Sequence, residues 1–103
     1  ASDILSAGEI AVDRSSHRVT VSGQLVSLAP REYRLLTFLL SNQDRVYSRN
    51  QLLLYVWDRD HGVGPRTVDV HIRRLRRLLE PHGLAHYLQT VRGSGYRFSL
   101  HAG

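Results

Sequence analysis

The chain has 103 residues, the usual size of one small domain, and its hydrophobic content of 42% is enough for one modest core. It has no cysteine, which excludes disulfide bonds and thiolate zinc sites, and no apolar run reaches the roughly 18–20 residues of a membrane span. Residues 1–65 contain seven arginines and seven acidic residues, whereas residues 66–103 contain seven arginines and two acidic residues. This uneven charge predicts a surface that faces a polyanion, and we expect one cytoplasmic domain over residues 1–103.

The segment from residue 9 to residue 28 has the period-two alternation of β-strands. Its apolar residues form three pairs, namely Ile10 and Val12, Val19 and Val21, and Leu25 and Leu28. Residues typical of turns separate the pairs at positions 13–16 and 22–23. We expect a small antiparallel sheet that supports the rest of the domain.

Two helices are predicted next. The first begins at Pro30 behind a poor N-cap, Ala29, and its apolar face consists of Tyr33, Leu36, Leu39 and Leu40. The second begins at Ser48, which forms a capping-box pattern with Gln51, and it runs to Trp57. A polar loop follows from 58 to 64, longer than the three or four residues of a simple helix-turn-helix turn.

The third helix is predicted to start near Pro65 and to end before Pro81. Its apolar stripe consists of Val68, Ile72, Leu75 and Leu79. The opposite side carries Arg66, Val70, Arg73, Arg74 and Arg77, with Thr67 and His71 on one flank and Arg76 on the other. Such a helix, about 10–12 Å across, fits the major groove of B-DNA, which is about 12 Å wide. The alternative is a solvated charged face, which is what most such faces are.

A β-hairpin closes the chain. Its strands are predicted at 88–91 and 96–100, and a glycine-rich turn at 92–95 joins them. Arg92 stands at the tip, where an arginine can enter a minor groove. The alternative is an arginine that extends into water.

Two runs of the sequence carry a resemblance to a known family. They are Arg66-Thr67-Val68-Asp69-Val70-His71-Ile72-Arg73-Arg74-Leu75-Arg76 and Thr90-Val91-Arg92-Gly93-Ser94-Gly95-Tyr96-Arg97-Phe98. Together with the segments 45–49 and 52–57, they resemble the C-terminal effector domain of OmpR/PhoB response regulators. The resemblance covers about residues 10–99, and the helix and hairpin runs are most similar to the phosphate-regulon branch.

The resemblance implies an α+β winged helix-turn-helix with an N-terminal four-stranded antiparallel sheet, three helices and a C-terminal hairpin wing. It implies sequence-specific binding of double-stranded DNA by a bacterial two-component transcription regulator. The implied base contacts are Thr67, Val70, His71 and Arg74, and Arg92 is implied to enter the minor groove. The implied phosphate contacts are Trp57, Arg66, Arg73, Arg76, Arg77, Thr90 and Tyr96.

The resemblance also implies partners. The loop 58–64, with Asp58, Asp60 and Val63, is implied to contact RNA polymerase during activation. A receiver domain, which these 103 residues do not contain, is implied to drive dimerisation on direct-repeat sites. The isolated domain is then expected to be a monomer.

Two rival interpretations are open. An enzyme or metal site is suggested by His82 and His86, but Pro81 and Gly83 disfavour a continuous helix there, so we predict no catalytic residue, metal or cofactor. The second rival is an RNA-binding or protein-interaction module. The deep, narrow major groove of RNA does not admit a helix, and single-strand readers need exposed aromatic platforms. The aromatic residues Tyr33, Phe38, Tyr55 and Trp57 are instead predicted in or near apolar helix faces.

Overall fold

The computed structural model describes residues 3–58 and 62–101. Within these residues an antiparallel sheet of four strands comes first, with the strands side by side in chain order: β1 (Ile4–Ala7), β2 (Ile10–Asp13), β3 (Arg18–Val21) and β4 (Gln24–Val26). Ile10 pairs with Val21 and Val12 with Val19, and all four side chains are buried. The period-two prediction is therefore confirmed for β2 and β3.

The prediction for β4 is wrong by one residue. Leu25 pairs with Thr20 in β3 and is 67% exposed, whereas Val26 pairs with the buried Val19 and is half-buried. Because successive side chains of a strand point to opposite faces, a shift of one residue moves Leu25 to the outer face of the sheet. The Leu25 and Leu28 pair does not mark the inner face of a strand, since β4 ends at Val26.

The described residues form three helices at the predicted places: α1 (Pro30–Ser41), α2 (Arg49–Val56) and α3 (Pro65–Leu79). Ala29 offers no side-chain acceptor, but the buried Glu32 accepts a hydrogen bond from the Ala29 N–H at 3.1 Å. The capping box of α2 is confirmed. Ser48 Oγ accepts from the Gln51 N–H at 3.1 Å, and Gln51 Oε1 accepts from the Ser48 N–H at 2.8 Å.

The wing consists of β5 (Leu88–Val91) and β6 (Gly95–Phe98), and two short 3₁₀ turns, 80–82 and 85–87, connect α3 to it. The second strand ends at Phe98 rather than at the predicted Leu100. Ser99 leaves the hairpin because its N–H donates to Tyr87 O and its hydroxyl donates to Asp44. The winged-helix architecture is confirmed.

The core lies between the sheet, the helices and the base of the wing. The predicted stripe of α3 is confirmed, since Val68, Ile72, Leu75 and Leu79 are all buried. They belong to one cluster with Leu35, Leu36, Leu39 and Leu40 of α1, Leu52 and Val56 of α2, and Phe98 of β6. The core therefore holds α3 by one side only. No helix in residues 3–58 and 62–101 has the length and apolar character to span a bilayer.

Candidate nucleic-acid interface

The outer side of α3 presents a row of exposed arginines. Arg66, Arg73, Arg74 and Arg77 are all exposed, and Val70 between them is 40% exposed. Among the residues that the structure describes, no acidic partner lies within ion-pair distance of Arg66, Arg73 or Arg77. These guanidinium groups are neither covered by the protein nor neutralised by it.

Arg74 is the member of this row that lies near a carboxylate. Its Nη1 is 4.0 Å from Oε2 of Glu32, and the Arg74 side chain is 58% exposed. Glu32 is buried and its other oxygen accepts from the Ala29 N–H. Because a pair at this separation is weak when one partner is exposed, the Arg74 guanidinium stays available to a ligand.

Trp57 and His71 form the inner flank of the row. The His71 ring meets the Trp57 ring edge-on, with the centroids 5.1 Å apart, and His71 Nδ1 lies 2.8 Å from Thr67 O. Trp57 is only 4% exposed, and the Arg31 guanidinium carbon lies 5.7 Å from its ring centre. Trp57 is thus almost fully covered, which leaves little of its ring for a ligand, while His71 is held by its neighbours.

Arg76 connects α3 to the wing. Its Nε donates to Leu88 O at 2.9 Å, its Nη2 donates to Thr90 Oγ1 at 2.6 Å, and its guanidinium lies 5.8 Å from the centre of the Tyr96 ring. Two of the five N–H donors of this arginine are therefore used inside the domain, whereas Arg73 and Arg77 form no such side-chain bond among the described residues. Since the Thr90 hydroxyl accepts from a cation, its own hydrogen remains available to a phosphate.

Asp69 is a residue that sequence reasoning did not select. It accepts a hydrogen bond from the Tyr96 hydroxyl and one from Arg49 Nη1 at 3.1 Å. Burial, followed by the hydrogen bond to Asp69, raises the pKa of Tyr96 to about 12. The partners of Asp69 lie 20 and 27 residues away, so no local pattern announces them.

The second strand of the wing, close to the turn, is packed against the backbone that leads into α2. Tyr47 and Tyr96 form an isolated bridge with two backbone hydrogen bonds, each 2.9 Å long. A Cβ on Gly95 would lie 2.0 Å from Tyr47 O, and the Gly95 φ of 143° is one that other residues rarely adopt. Glycine is required there by this close approach. Beyond it, Arg92 is exposed at the tip.

A cleft of about 430 Å³ lies between α2, the start of α3 and the wing. Its lining combines the N-terminal turn of α2, Asp69 and one side of the hairpin, and includes Ser48, Arg49, Asn50, Thr90, Gly93 and Tyr96. Thr90, Tyr96 and the cationic Arg49 are thereby brought to one cavity next to the arginine row.

The loop after α2 is only partly described. The carboxylate of Asp58 is 2.8 Å from Arg34 Nη2 of α1, so this loop residue is tied to the helices. Val63 is half-buried and packs against the core. Asp60, the third predicted polymerase contact, lies outside the described residues.

Other parts of the surface bear on the rival interpretations. The described residues contain no group of three or more His, Cys, Asp or Glu side chains that could hold a metal ion. Phe38 stacks on Tyr55 and meets Tyr47 edge-on, at centroid distances of 5.5 and 4.9 Å. Tyr55 is 50% exposed, so it lies near an apolar face and not within one. Its ring is nevertheless occupied by the stacked Phe38.

Comparison with known proteins decides the family. The family described as "Transcriptional regulatory protein, C terminal" matches residues 23–98. This chain belongs to that family, the DNA-binding domains of OmpR/PhoB regulators. The predicted resemblance and the predicted winged-helix fold are confirmed by this match.

Curated relatives place this OmpR/PhoB domain near one group of regulators. It is 47% identical over 97 residues to the phosphate regulon transcriptional regulatory protein PhoB of Escherichia coli. The matched region covers 94% of this chain and 42% of that protein. It is 50% identical over 95 residues to PhoB of Pseudomonas aeruginosa, with 92% and 41% covered. The chain thus spans less than half the length of the curated relatives that it matches.

Solved structures of OmpR/PhoB domains have the same fold, and they include complexes with DNA. The DNA-binding domain of the response regulator AdeR, in complex with an intercistronic region, matches with a TM-score of 0.83 and 30% identity, covering 92% of this chain and 97% of that one. The RstA DNA-binding domain of Klebsiella pneumoniae, in complex with the RstA box, matches with a TM-score of 0.80 and 30% identity, covering 95% and 98%.

Proposed function

We propose that this chain regulates transcription by binding double-stranded DNA in a sequence-specific way, with α3 in the major groove and Arg92 of the wing in the minor groove. The observation that carries this proposal is the two-sided environment of α3. Four apolar side chains are buried in the core, and the arginines on the other side are exposed. A cationic helix face of this width matches the major groove, and guanidinium groups match guanine edges and phosphates.

The contacts divide into two kinds. We assign base contacts to Thr67, Val70, His71 and Arg74, which lie along one side of α3 from its first turn onward. We assign phosphate contacts to Arg66, Arg73 and Arg77, which have no ion-pair partner among the described residues, and to the Thr90 hydroxyl. Contributions from Trp57 and Arg76 are smaller, because the first is buried and the second donates to Leu88 and Thr90.

We further propose that the chain is the effector part of a longer, cytoplasmic response regulator without enzymatic activity of its own. The support is that it spans 42% of the length of PhoB from Escherichia coli. In such a protein a receiver domain would control dimerisation on direct-repeat sites. The loop 58–64 would contact RNA polymerase.

Selection of bound duplexes from a random pool tests the DNA-binding proposal. We expect one enriched half-site, and a repeat spacing if two copies bind together. Competition by double-stranded RNA of the same sequence serves as the control, and equal competition would favour the RNA-binding alternative. A pool that yields no enriched sequence would contradict specific recognition.

Replacement of the loop 58–64 by a neutral linker tests the polymerase contact. We expect unchanged DNA binding and reduced promoter activation in a reconstituted transcription assay. If DNA binding is lost as well, the loop supports the fold instead, since the Asp58 to Arg34 ion pair joins it to α1.

A further inference from the structure

Asp69 is an acidic residue on an otherwise basic helix. Because Arg73 stands one helical turn later, an ion pair between Asp69 and Arg73 is the ordinary expectation. Among the described residues that pair does not form. Oδ2 of Asp69 lies 3.1 Å from Nη1 of Arg49, and Oδ1 accepts the hydroxyl hydrogen of Tyr96. The carboxylate therefore joins three elements, α2, α3 and β6.

We propose that Asp69 is a specificity-determining positioning residue, which fixes the wing and α2 relative to α3 and so sets the spacing between the major-groove and minor-groove contacts. This inference rests on the proposed function. It assigns to Asp69 no contact with DNA; its effect passes through Arg49 and Tyr96.

The place of the Asp69 contacts explains how one carboxylate has this effect. Tyr96 lies opposite Thr90, next to the pair of Val91 and Gly95 that closes the hairpin, and the turn that carries Arg92 follows directly after Val91. On α3, Asp69 immediately precedes Val70 in the turn that we assign to base contacts. The hydrogen bond between Asp69 and Tyr96 thus joins the turn end of the wing to the turn of α3 that we assign to base contacts.

The Tyr96 hydroxyl has a single hydrogen, and Asp69 accepts it. That hydroxyl is therefore not a phosphate donor in this structure, which departs from the role that the family resemblance implies for it. Burial and the Asp69 carboxylate raise the pKa of Tyr96 to about 12, so the hydroxyl stays protonated at neutral pH. Tyr96 connects β6 to α3 through this hydrogen bond. The hydroxyl of the neighbouring Thr90 accepts from Arg76, so its own hydrogen can be donated to a phosphate.

Loss of this link should affect specific and non-specific binding differently. Non-specific binding depends mainly on the number of phosphates neutralised and tolerates a changed wing angle. Specific binding requires base contacts in both grooves at one fixed geometry. Removal of the Asp69 charge also removes a negative group from a DNA-facing cleft, which raises affinity for any duplex.

The test measures the affinity of the 103-residue chain for two probes, the duplex selected from the random pool and poly(dI-dC). The variants are Asp69→Asn and Tyr96→Phe, which keep the side-chain shapes and remove the charge or the hydroxyl. Glu80→Gln is the matched control, because it removes one negative charge just after α3 from an exposed residue. If Asp69→Asn does not fold, Tyr96→Phe carries the test.

We expect Asp69→Asn and Tyr96→Phe each to lower the ratio of specific to non-specific affinity by about tenfold, the scale of one misplaced base contact. Glu80→Gln should leave the ratio unchanged. A spectroscopic readout accompanies this. In an ultraviolet titration of the tyrosines, the group that ionises near pH 12 in the parent chain should ionise at lower pH in Asp69→Asn and be missing in Tyr96→Phe.

Three results would overturn the inference. In the first, Asp69→Asn and Glu80→Gln change both affinities alike, so that charge alone explains the effect. In the second, Tyr96→Phe weakens binding to both probes equally while Asp69→Asn keeps the ratio, so that Tyr96 is itself a phosphate ligand. In the third, the parent chain does not distinguish the two probes, and the proposed function fails together with the inference.

Discussion

At Arg74 the structure combines exposure with a weak tether. Its Nη1 is 4.0 Å from the buried Glu32 carboxylate and its side chain is 58% exposed, so the proposed contact with a base edge does not require the loss of a strong ion pair first. We expect Arg74→Ala to cost about 1–3 kcal/mol on the selected duplex and to relax specificity at one base pair. Affinity measurements on a panel of single-base variants check this, with Arg77→Ala as the matched phosphate-contact control. Equal loss on every duplex would move Arg74 to the phosphate group.

At Tyr96 the structure predicts a pH dependence of stability. The folded pKa of about 12 exceeds the ordinary value of 10.0, mainly because of burial and then because of Asp69. The folded state therefore binds this proton more tightly than the unfolded chain does. Its contribution to stability is complete below pH 10 and is lost as the pH rises towards 12.

Urea unfolding of the parent chain and of Tyr96→Phe, repeated across this alkaline range, measures that contribution. The difference between the two free energies of unfolding should shrink as the pH rises. Since the two proteins have every other residue in common, the effects of those residues cancel in the difference. A constant difference would mean that Tyr96 has the same pKa in both states.

Single residues also show where prediction from sequence stops. Arg76 and Arg77 are neighbours of the same type, and the family resemblance implies a phosphate contact for both. The structure separates them, because the acceptors of Arg76 are Leu88 O and Thr90 Oγ1, which lie 12 and 14 residues further along the chain. Asp69 was missed for the same reason. Partners at such distances are set by the tertiary fold, and no spacing in the sequence reports them.

At the scale of elements, the buried face of a helix or strand could be predicted where the element is long and packed on one side only. The stripe of α3 was predicted residue by residue, because a helix packed on one side leaves a clear period of 3.6 in its apolar residues. In β4 the signal failed. An edge strand of three residues is too short to define a phase, so the exposed Leu25 and the half-buried Val26 exchanged faces. β1 lies before the segment whose alternation was interpreted, and only the family resemblance implied a fourth strand.

The wing offers a matched pair of glycines for a prediction at this scale. Gly95→Ala places a Cβ 2.0 Å from Tyr47 O, so the bridge between Tyr47 and Tyr96 must open. Gly93 has a φ of 78° but nothing within 4 Å of its Cβ position, so Gly93→Ala costs only backbone strain.

We expect a loss of about 1–2 kcal/mol in the free energy of unfolding for Gly93→Ala and about 3 kcal/mol or more for Gly95→Ala. Thermal or urea unfolding of both variants measures the losses. Equal losses would show that the Tyr47 backbone moves away from the new Cβ at position 95 without a loss of stability.

For the whole molecule, the excess positive charge of residues 66–103 lies on one surface, formed by α3 and the wing. Three arginines assigned to phosphates, Arg66, Arg73 and Arg77, lie on α3, whereas the N-terminal sheet contains Arg18 on β3. We expect the logarithm of the affinity to fall with the logarithm of salt concentration with a slope of about −3 per domain.

Arg77→Ala should reduce the magnitude of that slope by about one, and Arg18→Ala should leave it unchanged. Titrations of a labelled duplex at several salt concentrations supply the slopes. A flat response in the parent chain, or an equal change in the two variants, would contradict a phosphate-facing surface confined to α3 and the wing.

The wing is held at its base and again close to its turn, while the turn itself is exposed. The Tyr47 bridge, Arg76 and Asp69 hold the hairpin at Tyr96, Leu88 and Thr90, while the Arg92–Ser94 turn is exposed. The turn is consequently a modular part. We expect that a different loop grafted between Val91 and Gly95 changes the minor-groove preference proposed above and leaves the contacts of the hairpin with α3 and Tyr47 in place.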